Sequence, residues 1–333
     1  MKLASLKPSN NKTDRDGTLI VVDKNLQLAV KVPEIAQSLM IALEDWQTKK
    51  PLLEKTYHEL CSGEKQIIQN SFPVDFNTLS SPLPRCPQWL DGSAYLSHVR
   101  RVRKARGADM PESFLSDPLM YQGACDSFLA PFEDIPLLNN DWGLDLEAEI
   151  AIVTDDVAMA TPVEQSEQHI KLLMLVNDVS LRNLIPSELA KGFGFIHGKP
   201  SGSFSPIAIT PDELSDSWSN GKCHLPLLTF LNDTLLGKAN AGSDMQFSFN
   251  DLISHASKTR KLSAGTIIGS GTVSNNDEKN GVSCLVEKRI LEIIRMGNAI
   301  TPYLTHGDKV HIEMNDSNGN SIFGPIIQNV TQI

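Results

Sequence analysis

The stretch Gly143-Leu-Asp-Leu-Glu-Ala-Glu-Ile-Ala-Ile-Val-Thr154 alternates acidic and apolar residues in a way that predicts a β-strand. Successive side chains of a strand point to opposite faces, so Asp145, Glu147 and Glu149 share one face. The simplest interpretation is a half-buried strand with a solvated acidic face, because charged side chains usually face water. Two features of the same stretch favour a buried acidic face instead.

The first feature is crowding of like charge. No Lys or Arg alternates with the three carboxylates. Neighbouring carboxylates on one strand face lie about 6.6 Å apart, which gives a repulsion of roughly 2.5 kcal/mol per pair at an effective dielectric of about 20. The second feature is that the same face becomes apolar at Ala151 and Val153. A hard divalent cation accounts for both, because Mg²⁺, Mn²⁺ and Ca²⁺ prefer oxygen ligands.

The composition is that of a soluble globular protein. Of 333 residues, 41% are hydrophobic and 21% are charged. The 30 basic and 40 acidic residues give a net charge of −10, which argues against nucleic acid or an anionic membrane as a main partner. The five cysteines show no C-x-x-C spacing, which indicates free thiols. The sequence lacks a secretory leader and a run of ~18 apolar residues, so we expect a cytoplasmic protein without a membrane partner.

Residues 1–80 predict a small N-terminal α/β domain. Asp16-Gly17 precedes the β-branched run Thr18–Val22, which indicates a hairpin, and two amphipathic helical patterns follow. Residues 80–87 contain three prolines, which marks a boundary to a second domain, residues 81–333. In that second part many short segments, including residues 282–295, are interpreted as strands. This pattern favours an α+β, β-rich fold over a doubly wound one.

Several polar residues could join the acidic strand. Asp178 ends an apolar run and is the next carboxylate available to a metal. Lys199, between a glycine and a proline, could bring an ammonium group near the carboxylates. The glycine turn at Gly271 and Thr272 could hold an anion with its backbone N–H groups.

A helix predicted to end near residue 105 carries His98, which the pattern alone leaves open as structural or catalytic. The other side of this helix is strongly basic and predicts a solvated face. The residues of that basic run are Arg100, Arg101, Arg103, Lys104 and Arg106.

Four motifs, in this order along the chain, resemble the fumarylacetoacetate hydrolase family. They are Glu147-Ala-Glu149, Leu175-Val-Asn-Asp178-Val-Ser-Leu-Arg182, Gly198-Lys199 and Gly269-Ser-Gly-Thr272. The resemblance covers residues from about 88 to 328, and residues 1–80 resemble the N-terminal domain of some members. It implies a mixed β-roll, a divalent cation, a small diketo-acid substrate and a homodimer.

The resemblance also implies roles for individual residues. Asp91, Glu147, Glu149 and Asp178 match the metal ligands, and Lys199 matches a lysine near the metal. His98 follows Asp91 by seven residues, the spacing of the family's catalytic histidine. The implied substrate contacts are Tyr121, Arg182, Gly271 and Thr272.

The implied reaction is hydrolysis of a C–C bond in a β-diketo acid. Fumarylacetoacetate, from the breakdown of tyrosine, is the named candidate substrate, and Mg²⁺ (or Ca²⁺ or Mn²⁺) is the cofactor. His98 would be the general base, with Glu287 as its carboxylate partner and Glu278 as the alternative. An acylpyruvate hydrolase, an oxaloacetate decarboxylase or a 2-oxo-acid hydratase or isomerase would be possible on the same fold, and an inactive metal-binding structural dimer is the alternative from another class. The chain has Ile185 where the family has a glutamine, which leaves the choice of substrate open.

Overall fold

The computed structural model describes residues 1–8, 14–105 and 110–333. Within these ranges the chain forms eight α-helices and twenty strands. The helices are α1 (Leu39–Glu44), α2 (Trp46–Ser62), α3 (Lys65–Asn70), α4 (Leu96–Ala105), α5 (Val163–Ser166), α6 (Ile185–Leu189), α7 (Phe249–Ala256) and α8 (Leu285–Met296). No helix among the described residues has the length and apolar character needed to cross a membrane.

The strands are short, as the sequence predicts. They are β1 (Lys2–Leu6), β2 (Thr18–Val22), β3 (Leu28–Lys31), β4 (Phe72–Pro73), β5 (Trp89–Gly92), β6 (Met120–Gln122), β7 (Ile135–Leu137), β8 (Leu144–Asp145), β9 (Ala148–Thr154), β10 (Ile170–Asn177), β11 (Ser180–Leu181), β12 (Ser203–Phe204), β13 (Ala208–Ile209), β14 (Trp218–Ser219), β15 (Lys222–Cys223), β16 (Pro226–Leu231), β17 (Thr234–Asn240), β18 (Ile267–Gly269), β19 (Lys309–Met314) and β20 (Ile326–Gln332).

Two sheets contain most of these strands. The larger sheet has the order β4-β3-β2-β1-β13-β10-β9-β18-β5-β6, with β12 beside β10. A five-stranded sheet has the order β17-β16-β19-β20-β7. Most neighbours are antiparallel, whereas β5 runs parallel to β18 and β7 runs parallel to β20. This mixed, strand-rich α+β architecture confirms the predicted fold class.

The central strand β9 is buried on both faces. Ile150 belongs to an apolar cluster that also contains Val310 of the five-stranded sheet. Ala151, on the opposite face, belongs to a second cluster that also contains Leu53 of α2. Since both faces are covered, the acidic residues of this stretch are buried and not solvated.

The N-terminal residues extend the same large sheet. Strand β1 pairs with β13, and Lys2 lies opposite Ile209. Helices α1 and α2 contribute Leu39 and Leu53 to the second apolar cluster. The division into domains 1–80 and 81–333 remains a prediction.

The interpretation of residues 282–295 as strand is wrong, because most of them form helix α8. The helix buries Leu285, Ile290 and Leu291 on one side. The side chain of its N-cap residue makes no cap hydrogen bond. Asp145 instead accepts hydrogen bonds from the N–H groups of Leu285 and Val286, at 2.7 and 2.9 Å. Since the acceptor lies 140 residues away, the local sequence carried no helix-start signal.

Candidate active site

Five neighbouring strands bring predicted site residues together. Glu149 lies on β9, Asp91 on β5 and Tyr121 on β6, whereas Asp178 follows β10 and Thr272 follows β18 closely. Asp91 and Tyr121 are directly opposite each other in the pairing of β5 with β6. Because adjacent strands lie about 4.8 Å apart, the sheet places residues distant in sequence within contact distance.

Three carboxylates form an acidic cluster. Asp91, Glu149 and Asp178 are buried, and each offers an oxygen that lies within 4.8 Å of the other two. Neither oxygen of Glu149 has a hydrogen-bond partner among the described residues. Burial raises the pKa of Glu149 well above its usual range, and the charges of Asp91 and Asp178 add to the rise. An orphaned buried carboxylate facing two others fits a divalent cation with oxygen ligands.

Glu147, predicted as the fourth ligand, has different surroundings. Its Oε1 accepts the hydroxyl of Thr272 at 2.5 Å and lies 2.8 Å from Nη2 of Arg182. Its Oε2 accepts from Ser180 at 2.9 Å and from Lys199. Burial raises the pKa of Glu147, but Arg182 and Lys199 outweigh it and hold that pKa well below the usual range. Glu147 is therefore an anion balanced by protein cations, whereas Glu149 is not.

Lys199 connects Glu147 to the acidic cluster. Its Nζ donates to Oδ2 of Asp178 at 2.5 Å, and Tyr121 donates its hydroxyl to the same oxygen at 2.5 Å. Burial lowers the pKa of Lys199, but Asp178 and Glu147 outweigh this effect and raise it above its usual value. The ammonium group therefore stays charged at neutral pH.

The glycine turn after β18 holds the side chain of Asp91. Gly271 donates its N–H to Oδ1 of Asp91 at 3.0 Å. Gly271 has φ +77°, and a Cβ there would lie 2.2 Å from the backbone oxygen of Gly92. Only glycine fits this turn, which fixes the orientation of Asp91.

The predicted substrate contact Arg182 is held by two carboxylates. Its Nε donates to Oδ2 of Asp145 at 2.9 Å, in addition to the contact with Glu147. Asp145, first assigned only to the acidic face, thus caps α8 and orients Arg182. Local pattern gives no signal for this role, because both partners are distant in sequence.

The structure brings His98 and Glu287 together. His98 on α4 places Nδ1 2.7 Å from Oε2 of Glu287 on α8. Burial raises the pKa of Glu287, but the hydrogen bond and charge of His98 outweigh it and hold that pKa below its usual value. Glu278, the alternative partner, is exposed and pairs with Arg295. Geometry therefore places Glu287 beside the histidine.

The interpretation of the basic run as a solvated face is wrong for Arg101. Its Nη1 donates to Oε1 of Glu287 and, at 3.0 Å, to Ser274, and its Nη2 donates to the backbone oxygen of Asn275 at 2.7 Å. Arg101 lies three residues after His98, so the two share a helix face. That spacing was the available signal. Arg106 lies outside the described residues.

Glu188 is a site residue that the sequence analysis missed. Its carboxylate accepts the backbone N–H groups of Ile196, His197 and Gly198 at 2.8–2.9 Å. These three bonds fix the segment that leads directly into Lys199. A cluster of backbone donors around one carboxylate has no sequence signature.

A cavity of about 200 Å³ is lined by two residues of the acidic cluster and by His98. Asp91, Glu149, Lys199 and His98 are among its lining residues. The predicted residues Tyr121, Arg182, Gly271 and Thr272 also reach this cavity, together with Ile185 and Phe195. Because drug-sized ligands occupy roughly 300–1,000 Å³, the cavity fits a small substrate.

Comparison with known proteins identifies the family of the chain. Residues 88–331 match the family model described as fumarylacetoacetate (FAA) hydrolase C-terminal, and residues 1–85 match fumarylacetoacetase N-terminal domain 2. A 2,4-didehydro-3-deoxy-L-rhamnonate hydrolase of Sphingomonas sp. (strain SKA58) is 26% identical over 160 residues, which are 47% of this chain and 53% of that protein. The match thus spans about half the length of that relative.

Solved structures show the same fold. Maleylpyruvate hydrolase from Sphingobium sp. SYK-6 has a TM-score of 0.65 and 14% identity, with all of both chains covered. Its complex with manganese (II) ion and pyruvate has a TM-score of 0.63 and 15% identity, covering 100% of this chain and 99% of that one. Fumarylacetoacetate hydrolase from Exiguobacterium antarcticum has a TM-score of 0.64 and 18% identity, again over the full length of both. With family models matching nearly its whole length, the chain belongs to the fumarylacetoacetate hydrolase family.

Proposed function

We propose that this chain is a divalent-metal-dependent hydrolase that cleaves a C–C bond in a β-diketo acid. One observation carries the proposal: Asp91 and Glu149 of the acidic cluster line the same small cavity as His98, which is hydrogen-bonded to Glu287. A cation site alone would also suit a binding protein. A half-buried imidazole that is hydrogen-bonded to a buried carboxylate beside it suits general-base catalysis.

Asp91, Glu149 and Asp178 would hold the cation, and Glu147 would complete the site through its bridge to Lys199. The all-oxygen donor set suits Mg²⁺, with Mn²⁺ and Ca²⁺ as alternatives. When bound, the cation would act as a Lewis acid on the substrate's oxygens. The family and the manganese-containing relative support this assignment.

His98 would deprotonate the attacking water. Because its Nδ1 contacts Glu287, Nε2 is the nitrogen left to accept the proton. Glu287 fixes this tautomer and stabilises the imidazolium that forms. Arg101 and Ser274 contact Oε1 of Glu287, so the carboxylate is held on its other side as well.

In the remaining steps His98 returns the proton that it took from water. Water adds to a ketone carbon, and the C–C bond then breaks with its electron pair on the adjacent carbon. The resulting enolate takes up the proton that His98 removed. The products are two carboxylic or oxo acids, and no oxidant or reductant is needed.

Fumarylacetoacetate and the acylpyruvates both belong to the proposed substrate class. They share a dioxo unit that can chelate a divalent cation. They differ in the number of carboxylates that they bring into the cavity, which is the basis for selecting between them.

A substrate panel tests the reaction class. Fumarylacetoacetate, acylpyruvates and oxaloacetate are each incubated with and without Mg²⁺, and the loss of ultraviolet absorbance is followed. We expect Mg²⁺-dependent turnover of at least one diketo acid. Turnover of oxaloacetate alone would favour a decarboxylase. Protein that binds Mg²⁺ but turns over none of them would favour a structural dimer.

Variants test the dyad separately from the metal. His98→Ala should lose about 10²–10⁴ of turnover, the usual contribution of general-base catalysis, and should keep its affinity for Mg²⁺ in calorimetry. Glu287→Gln should lose less, and Glu278→Gln, whose side chain is exposed, is the matched control. A His98→Ala protein with the parent rate would contradict the hydrolytic mechanism.

A further inference from the structure

We infer that the site selects β-diketo acids that carry one carboxylate and an apolar acyl tail, and that Ile185 and Phe195 form the pocket for this tail. The inference rests on the proposed hydrolase function. It goes further by naming the substrate class and the residues that determine it.

The cations around the cavity are already engaged. Among the described residues, the cationic side chains that line the cavity are Arg182 and Lys199. Arg182 contacts Asp145 and Glu147, and Lys199 contacts Glu147 and Asp178. A second substrate carboxylate would have to share a cation that two protein carboxylates already contact.

The net charge of the site also disfavours a substrate with a second carboxylate. Five buried carboxylates surround the cavity or its two cations: Asp91, Asp145, Glu147, Glu149 and Asp178. With all five ionised and a divalent cation bound, the two protein cations and that cation would leave one negative charge uncompensated. A diacid adds one more negative charge to this buried site than a monoacid does, and an unpaired charge in a buried site is costly.

Ile185 and Phe195 contribute apolar side chains to the lining of the cavity. The Phe195 ring packs edge to face on the Tyr121 ring, with centroids 5.1 Å apart and an interplanar angle of 82°. A Cβ at Gly198 would lie 2.7 Å from Cγ1 of Ile185, so the loop passes closely over this side chain.

The loop that carries Phe195 is held in place. Glu188 accepts the N–H groups of Ile196, His197 and Gly198, the three residues that follow Phe195. The Phe195 ring packs on Tyr121, and Glu188 holds the backbone that follows it. The apolar surface formed by Ile185 and Phe195, here called the apolar wall, is therefore preformed. A preformed apolar wall binds an alkyl group without an ordering cost.

A matched pair of substrates tests the inference. Butanoylpyruvate and succinylpyruvate have equally long carbon chains and differ only in ending with a methyl group or a carboxylate. We expect kcat/KM with Mg²⁺ to be about tenfold or more higher for butanoylpyruvate, within the range that pocket contacts discriminate. Calorimetry of Mg²⁺-loaded protein with 2-oxohexanoate and 2-oxoadipate should give the same order in Kd without requiring turnover.

Substitutions at Ile185 and Phe195 test whether these two side chains determine the preference for butanoylpyruvate over succinylpyruvate. Ile185→Arg should reduce the preference by about tenfold or more, because it supplies a cation where the tail ends. Phe195→Ala should raise KM for butanoylpyruvate more than for acetylpyruvate, whose tail is a single methyl group. Met159→Arg adds the same charge at an exposed position outside the cavity lining and should leave the preference unchanged.

The outcomes separate this inference from the proposed function. Equal or faster turnover of succinylpyruvate would overturn the tail inference and leave the hydrolase proposal intact. If neither acylpyruvate reacts, the hydrolase proposal fails for this class, and the Kd values of the two oxo acids still decide the tail inference. Tighter binding of 2-oxoadipate would then overturn it.

Discussion

Asp145 caps the helix that carries Glu287. Its two carboxylate oxygens accept the N–H groups of Leu285 and Val286 at 2.7 and 2.9 Å, and Glu287 is the next residue of α8. The same carboxylate receives Nε of Arg182 at 2.9 Å. One buried side chain thus links the helix of Glu287 to Arg182.

Asp145→Ala should destabilise the protein by about 3–5 kcal/mol, the cost of breaking a buried ion pair. It should also lower kcat, because Glu287 loses the cap that positions its helix turn. Chemical denaturation and turnover measure the two effects. Asp155→Ala is the control, since Asp155 forms a partly exposed ion pair with Lys171 and should change stability by no more than about 1 kcal/mol. Equal losses in the two variants would contradict the capping role.

Arg101→Gln should lower kcat about tenfold with little change in KM, because Arg101 contacts Glu287 and positions it without lining the cavity. Burial raises the pKa of Glu287, and His98 and then Arg101 lower it. Loss of Arg101 therefore raises the pKa of Glu287, and the acid limb of kcat should move to higher pH. Arg100→Gln, at an exposed position on the same helix, should leave the limb in place. A pH profile identical to the parent's would argue for a purely structural Arg101.

Glu188 should stabilise the folded protein at neutral pH and lose this effect at acidic pH. Backbone N–H groups, that of His197 foremost, hold the pKa of Glu188 below its usual value. A lowered folded pKa stabilises the protein above the unfolded pKa of about 4.3, and this stabilisation is lost as pH falls through the folded value. The parent should therefore be more stable than Glu188→Gln at neutral pH, and the gap should close at acidic pH. Denaturation at several pH values measures it, and a gap that widens on acidification would contradict the argument.

Glu188→Gln should also slow turnover. Its carboxylate fixes the segment before Lys199, and misplacement of a site group by about 1 Å can cost about 10²-fold in rate. We expect a loss of about tenfold or more in kcat/KM. Glu164→Gln, an exposed glutamate on α5, is the control and should keep the parent rate.

The sequence predicted the β-rich fold and named the residues that meet at the cavity, because strand alternation and ordered motifs are local signals. It could not predict α8, whose first turn is capped by Asp145 from 140 residues away. It missed Glu188 because backbone donors leave no residue pattern. It also treated Glu147 and Glu149 alike, since the alternation predicted one continuous strand, whereas Glu147 lies between β8 and β9. The cations that distinguish the two glutamates are Arg182 and Lys199, which lie later in the chain and contact Glu147.

That difference gives opposite effects for the same substitution at two positions. In chelator-treated protein, Glu149 is a buried carboxylate without a hydrogen-bond partner among the described residues. Its pKa is raised, first by burial, so its ionised form costs stability as pH rises. Glu149→Gln keeps the shape and removes the charge. The metal-free variant should therefore be more stable than the parent by about 1–3 kcal/mol at neutral pH, the scale of one unsatisfied buried group.

Glu147→Gln should have the opposite sign. Arg182 and Lys199 both contact Glu147, and its substitution leaves two buried cations with one partner fewer. Stability in chelator should fall by about 3–5 kcal/mol. Because Glu149 contributes an oxygen to the acidic cluster, Glu149→Gln should lose most of its Mg²⁺ affinity in calorimetry despite its higher stability. Thermal unfolding with and without Mg²⁺ measures both effects, and a Glu149→Gln protein that is less stable than the parent without metal would contradict the assignment of this carboxylate to the cation.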